Sequence, residues 1–125
     1  MDRIAVSVDT EARRLDQFWS QRVIGRANGN LFKVAKGIRS TEWHHHDDQD
    51  EVFVVTSGEL VVQFRTGDVT VGPGQLLVVP RGVEHCPRAD DVVHFLLVGP
   101  EVTSNEAGGK PAWSCGHTAD VAADE

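Results

Sequence analysis

A chain of 125 residues with 40% hydrophobic and 25% charged side chains can bury one modest core, and its ordinary globular balance excludes wholesale disorder and a membrane class. A formal charge of −7, with its 12 basic residues scattered rather than clustered, argues against nucleic acid as a partner. No run approaches the roughly 18–20 apolar residues of a membrane span, no apolar signal core follows Met1, and the two cysteines, Cys86 and Cys115, suit a reducing compartment, so cytoplasmic residence is the expectation.

In chain order, Ile4, Val6 and Val8 alternate with smaller or polar residues and predict a short strand over 4–8. From Asp9 to Ser20 the pattern turns helical: Asp9 or Thr10 can cap, and Ala12, Leu15, Phe18 and Trp19 share a face. Asn28-Gly29-Asn30 reads as a turn. Beyond it the segments 31–36, 51–56, 59–65, 69–71, 75–79 and 92–98 all read as strand, punctuated by Gly and Pro turns. Many short strands with such turns indicate an all-β sandwich or barrel. The runs Val52-Phe53-Val54-Val55 and Leu76-Leu77-Val78-Val79 are apolar on both faces, so a helix, a second layer or another subunit must cover their outer side. Residues 1–100 form one domain by this reading. Residues 101–125, rich in Gly, Ala, Ser and acidic side chains, read as a flexible tail with Trp113 as its anchor.

Chemistry concentrates between Trp43 and Glu51 and again at His85. On a strand, residues i and i+2 share a face, so His44 and His46 can present two imidazoles to one point while His45 turns away. Glu51 opens an apolar run, where a carboxylate needs a cation or hydrogen-bond donors to stay ionised. Imidazole and carboxylate together suit first-row divalent metals. His94 has the parity of Val92, Leu96 and Val98; if it faces the interior it is the candidate acid–base residue, and a satisfied core histidine is the plainer reading. Cys86 follows His85 directly and reads as a packed thiol. Cys115 and His117 carry only a weak metal-like spacing. Arg81 is either a surface residue of the Pro80-Arg81-Gly82 turn or a grip for an anionic substrate, and Asp47, Asp48 and Asp50 read as a hydrated turn.

With these residues in view, the chain resembles the cupin superfamily. His44-x-His46-x4-Glu51-x6-Gly58 fits its first motif, and Gly74-x5-Pro80-x-Gly82-x2-His85 fits its second. The leading Gly37 stands one residue further from His44 than in the family pattern, and Ala89 replaces the family asparagine. From Trp19 to Pro100 the chain is similar to small single-domain bacterial cupins. The resemblance implies a double-stranded β-helix, a jelly-roll-like barrel, with a short N-terminal helix. It implies that His44, His46, Glu51 and His85 hold one divalent transition metal (Fe, Mn, Ni, Cu or Zn), leaving two coordination positions for water, dioxygen or a chelating substrate. A metal-dependent dioxygenase or isomerase/lyase acting on a small-molecule substrate is therefore expected. The alternative is a non-catalytic metabolite-binding or sensing module. A homodimer is expected because an apolar first strand would leave an open edge.

Overall fold

A computed structural model describes residues 4–100 together with Pro111 and Trp113. One short helix, α1 (Val8–Arg13), is followed by seven strands: β1 (Gln21–Ala27), β2 (Asn30–Ser40), β3 (Glu51–Ser57), β4 (Leu60–Phe64), β5 (Gly67–Val71), β6 (Leu76–Val79) and β7 (His85–Pro100). The sheet runs β1-β2-β7-β3-β6, and β4 joins it by pairing with both β7 and β5. All pairings are antiparallel. The expected all-β double-stranded β-helix with a short N-terminal helix is therefore the fold.

The 16-residue β7 closes the barrel. Its first residues pair with β4, while its later ones pair with β2 on one side and β3 on the other. Register shifts at Gly37/Arg39 and Val55/Ser57 bend the strands around the interior. That interior holds Phe53, Val55, Leu60, Val62, Val79, Val93, Phe95 and Leu97, with Trp19 laid across one end.

Trp19 reaches the interior at the cost of a left-handed backbone (φ 64°), anchored by its amide donating to the Lys36 carbonyl (2.7 Å) and its Nε1–H to the Ile38 carbonyl (2.9 Å). Gly37 makes room for the ring, since a Cβ there would stand 2.5 Å from the indole. That contact is why a glycine opens the first motif.

Three expectations give way. Residues 4–7 form no strand, and Ile4 and Val6 are exposed. The helix starts earlier and stops sooner than the pattern over 9–20 implies, because Ser7 caps it and the chain must turn inward to seat Trp19. A whole strand, β1, lies between the expected helix and the Asn28-Gly29-Asn30 turn, where no element was expected; it pairs with β2 through the Asn28-Gly29 hairpin, whose two residues have φ of 53° and 77°. The outer layer is partly as expected. Ala12 and Leu15 pack with Val34, Ile24 and Leu96 on the back of the sheet, so α1 covers β2 and β7. The back of β6 stays open, with Leu76 60% and Val78 46% exposed.

Trp113, the expected anchor, packs on Phe18 (ring centroids 6.1 Å) and lies under Arg39. Cys115 and His117 lie outside the described residues.

Candidate metal centre

His44, His46, Glu51 and His85 converge, with one potential ligand atom from each lying within 4.8 Å of all the others. Two chain segments supply them: the loop between β2 and β3, ending at the first residue of β3, and the first residue of β7. His44 and His46 are not on a regular strand, as their spacing suggested. They are held by backbone bonds instead. The His44 amide donates to the His85 carbonyl (3.0 Å) and the His85 amide to the His44 carbonyl (2.9 Å), while the Gly82 amide donates to the His46 carbonyl (2.7 Å). Gly82 needs its positive φ of 79° to make that turn. Ring centroids stand 5.3 Å apart for His44 and His46 and 4.4 Å for His44 and His85. Phe53 and Phe64 lie edgewise or tilted against His85 and keep its surroundings apolar.

The remaining ring nitrogens test whether a cation fits. Nδ1 of His44 lies 2.7 Å from the Glu42 carbonyl and Nδ1 of His85 lies 2.9 Å from the Val83 carbonyl. A carbonyl only accepts, so both Nδ1 atoms carry protons and both Nε2 atoms are left for the centre. His85 Nε2 lies 2.9 Å from Glu51 Oε1, so a protonated His85 would pair there with the carboxylate. His46 is buried and neither of its ring nitrogens finds a hydrogen-bond partner; the nearest carboxylate oxygen, of Glu51, is 3.6 Å away. Such an orphan costs about 1–3 kcal/mol of desolvation that a metal bond would offset. The donor set fits a divalent transition metal.

The electrostatics agree. Burial holds the pKa of His44 and His46 below the ordinary histidine value despite the attraction of Glu51, so both are neutral and ready to ligate. Burial also opposes charge on His85, but its hydrogen bond to Glu51 outweighs this and its pKa is raised. Glu51 would likewise be pushed up by burial; the hydrogen bond from His85 and the charge on that imidazole oppose this, and it stays below the usual carboxylate range.

A narrow cavity opens onto the cluster, lined by Trp19, Gln21, Ala35, Thr41, His44, Glu51, Phe53, Pro87, Phe95 and Leu97. Its titratable lining residues are His44 and Glu51. His94 is not among them. Val93, Phe95 and Leu97 take the inward face of β7, which turns His94 to the helix side, where its Nδ1 bonds Asp9 Oδ1 (2.9 Å) beside the Thr56 hydroxyl, itself donating to Asp9 (3.0 Å). The satisfied-histidine reading describes its position. His45 is exposed, 3.3 Å from Asp47. Asp50 accepts from the Arg81 amide (2.9 Å) and guanidinium, so both belong to the turn that presents His85. Cys86 is buried, its thiol donating to the Thr41 carbonyl (3.2 Å).

Lys33 escaped sequence reasoning. It stands on β2 in register with Leu97 and Val23, is 7% exposed, and faces the same side as Ala35. Burial lowers its pKa, partly countered by Glu51. The signal was present as a lysine inside the apolar run Leu31-Phe32-Lys33-Val34-Ala35, where alternation puts it with Leu31 and Ala35.

A model of the cupin domain matches residues 30–99, more than half of the chain. The chain belongs to the cupin family. This cupin is 35% identical to a cupin-2 domain protein of Shewanella frigidimarina, with a TM-score of 0.74 over 78% of this chain and 95% of that one. A Neisseria meningitidis protein is 25% identical, with a TM-score of 0.70 over 78% of this chain and 100% of the other. Among curated proteins, the cupin is 33% identical over 67 residues to YdbB of Bacillus subtilis and 32% identical over 93 residues to an acireductone dioxygenase of Bacillus velezensis. The first alignment covers 53% of this chain and the second 67%; they span 59% and 51% of those relatives' own lengths.

Proposed function

We propose that this cupin is a metal-dependent enzyme acting on a small chelating metabolite, a hydroxy or keto acid, a sugar acid or a diketone. His44, His46, Glu51 and His85 would hold one ion of iron, manganese, nickel, copper or zinc. The observation that carries this reading is the convergence of three imidazoles and one carboxylate, His46 and His85 among them buried, with both nitrogens of His46 lacking a hydrogen bond. A bound ion would supply Lewis acidity or, if redox-active, oxygen chemistry. The chain's own residues orient the ligand set through backbone bonds, surround the cavity with Trp19, Phe53, Phe95 and Leu97, and set His85 against Glu51, a pair that a bound ion would hold as two of its ligands.

Two reaction types share this site: dioxygenation, and metal-assisted isomerisation, cyclisation or elimination. The cavity's titratable lining residues are both candidate ligands, and His94 lies behind the sheet, so no separate protein base is at hand for proton abstraction. That supports dioxygenation over the other type, as does the likeness to an acireductone dioxygenase. The lack of a separate protein base among the residues lining the cavity fits a second reading as well, a metal-containing module that binds a metabolite without turning it over.

The test is elemental analysis of untagged protein, followed by oxygen uptake with a panel of chelating acids and diketones after anaerobic iron loading. Near-stoichiometric iron with substrate-dependent uptake supports the dioxygenase. Bound zinc, manganese or nickel without uptake moves the assignment to isomerase or lyase chemistry, and failure to bind any metal overturns the proposal.

A second copy of the chain is the proposed partner. β6 is the last strand on its side of the sheet, and its exposed Leu76 and Val78 continue the apolar back formed by Val52 and Val54 of β3. A two-fold pairing along β6 would cover both.

A further inference from the structure

A lysine buried inside a barrel needs a reason. Removing its ammonium from water is costly unless a partner compensates, and among the described residues Lys33 makes no ion pair. Its position is set by register. Lys33 faces Leu97 across the β2–β7 ladder, and Leu97 faces Phe53 across the β7–β3 ladder. Leu97 and Phe53 both line the cavity, so Lys33 stands in the same inward row. Its charge is felt at two of the four candidate ligands, Glu51 and His46. Lys33 does not itself line the cavity; it stands next to two residues that do, Leu97 across the ladder and Ala35 two positions on along β2.

We propose that Lys33 is the residue that selects the substrate, its ammonium pairing with a carboxylate of an anionic ligand chelated at the candidate metal centre. The inference rests on the metal reading above and narrows it. A divalent ion held by one carboxylate and three neutral imidazoles carries a net positive charge, and Lys33 adds a second. Two positive centres beside one narrow cavity favour a carboxylic or dicarboxylic acid over an uncharged chelator. The favoured substrates are hydroxy, keto or sugar acids, rather than neutral diketones. A buried ammonium aimed at a ligand also explains its retention, because an apolar side chain of the same length would suit the fold better.

The experiment uses cobalt-loaded protein, whose visible spectrum reports ligand exchange, titrated with oxalate as an anionic chelator and glycolamide as an uncharged one. Lys33→Met is expected to weaken oxalate at least about tenfold, leave glycolamide and cobalt binding within about threefold, and melt no lower than wild type; Lys33→Arg should recover much of the oxalate affinity. Oxalate binding unchanged in folded, cobalt-loaded Lys33→Met overturns the assignment and leaves the metal reading intact. Should Lys33→Met fail to fold, NMR of 13C-lysine-labelled wild type loaded with zinc decides: oxalate must shift the Lys33 Cε resonance and leave that of Lys36, and an unmoved Lys33 overturns the proposal. If wild type takes up neither metal, the metal reading falls. The same labelled titration on metal-free protein then settles Lys33, a shift supporting it as an anion site and no shift overturning it.

Discussion

At the residue scale the candidate centre couples metal to protons. His85 pairs with Glu51 and has its pKa raised by that bond, while burial lowers those of His44 and His46. Metal uptake is therefore expected to release protons below the raised pKa of His85, with affinity falling about tenfold per pH unit there and levelling off above it. Calorimetry in buffers of different ionisation enthalpy would measure the proton count. Stability of the metal-free protein carries the same sign. The His85 contribution is fully present below the ordinary histidine pKa and is lost as pH rises through the raised one, so metal-free protein should become less stable across that window while metal-loaded protein does not. Glu51→Gln removes both the proton's partner and a ligand. With metal at about a hundred times Kd, wild type should gain about 2.7 kcal/mol of stability, and thermal denaturation should show Glu51→Gln losing most of that gain.

At the element scale, much of the barrel was legible from alternation and punctuation. The strands over 51–56, 59–65 and 75–79 lie within a residue or two of β3, β4 and β6. β1 was missed because Gly25 interrupts its pattern and Arg22 and Arg26 mask its alternation, although the Asn28-Gly29 pair is a strong hairpin signal that should have pointed to a strand on each side. The motif spacing brought out the four converging residues. It could not show that backbone bonds, rather than strand geometry, hold His44 and His46. The facing of His94 stayed open because β7 is apolar on both sides, so parity alone could not say which side is the interior. The same ambiguity hid Lys33. Asp9 ties α1 to this back face. The hydrogen bond from His94 outweighs the opposing effect of burial and, helped by the bond from Thr56, keeps its carboxyl below the usual range, so it contributes stability above the unfolded carboxylate pKa that is lost as pH falls through the lowered one. Asp9→Ala should lower Tm by a few degrees at neutral pH, less in acid, and leave metal affinity unchanged; a matching loss of metal would place His94 in the centre after all. Gly37→Ala, which drives a Cβ into the Trp19 indole, should cost about 1–3 kcal/mol in chemical denaturation.

At the scale of the whole molecule, no described helix is long and apolar enough to cross a membrane, and the open apolar strip is the back of β6. If a second copy covers it, Leu76→Lys with Val78→Lys should shift sedimentation from dimer to monomer while the barrel stays folded; unchanged sedimentation would send the search for the partner elsewhere. The reciprocal amide bonds between His44 and His85 carry a different consequence. They join the two segments that supply all four candidate ligands, and they do so through peptide groups that no ion touches. Folding and loading are thus expected to be separable events, with an ion arriving after the chain has folded and departing without unfolding it. Which ion resides there would then reflect the concentrations the folded protein meets over its lifetime, and a single preparation grown in two media could carry two different metals in one unchanged cage.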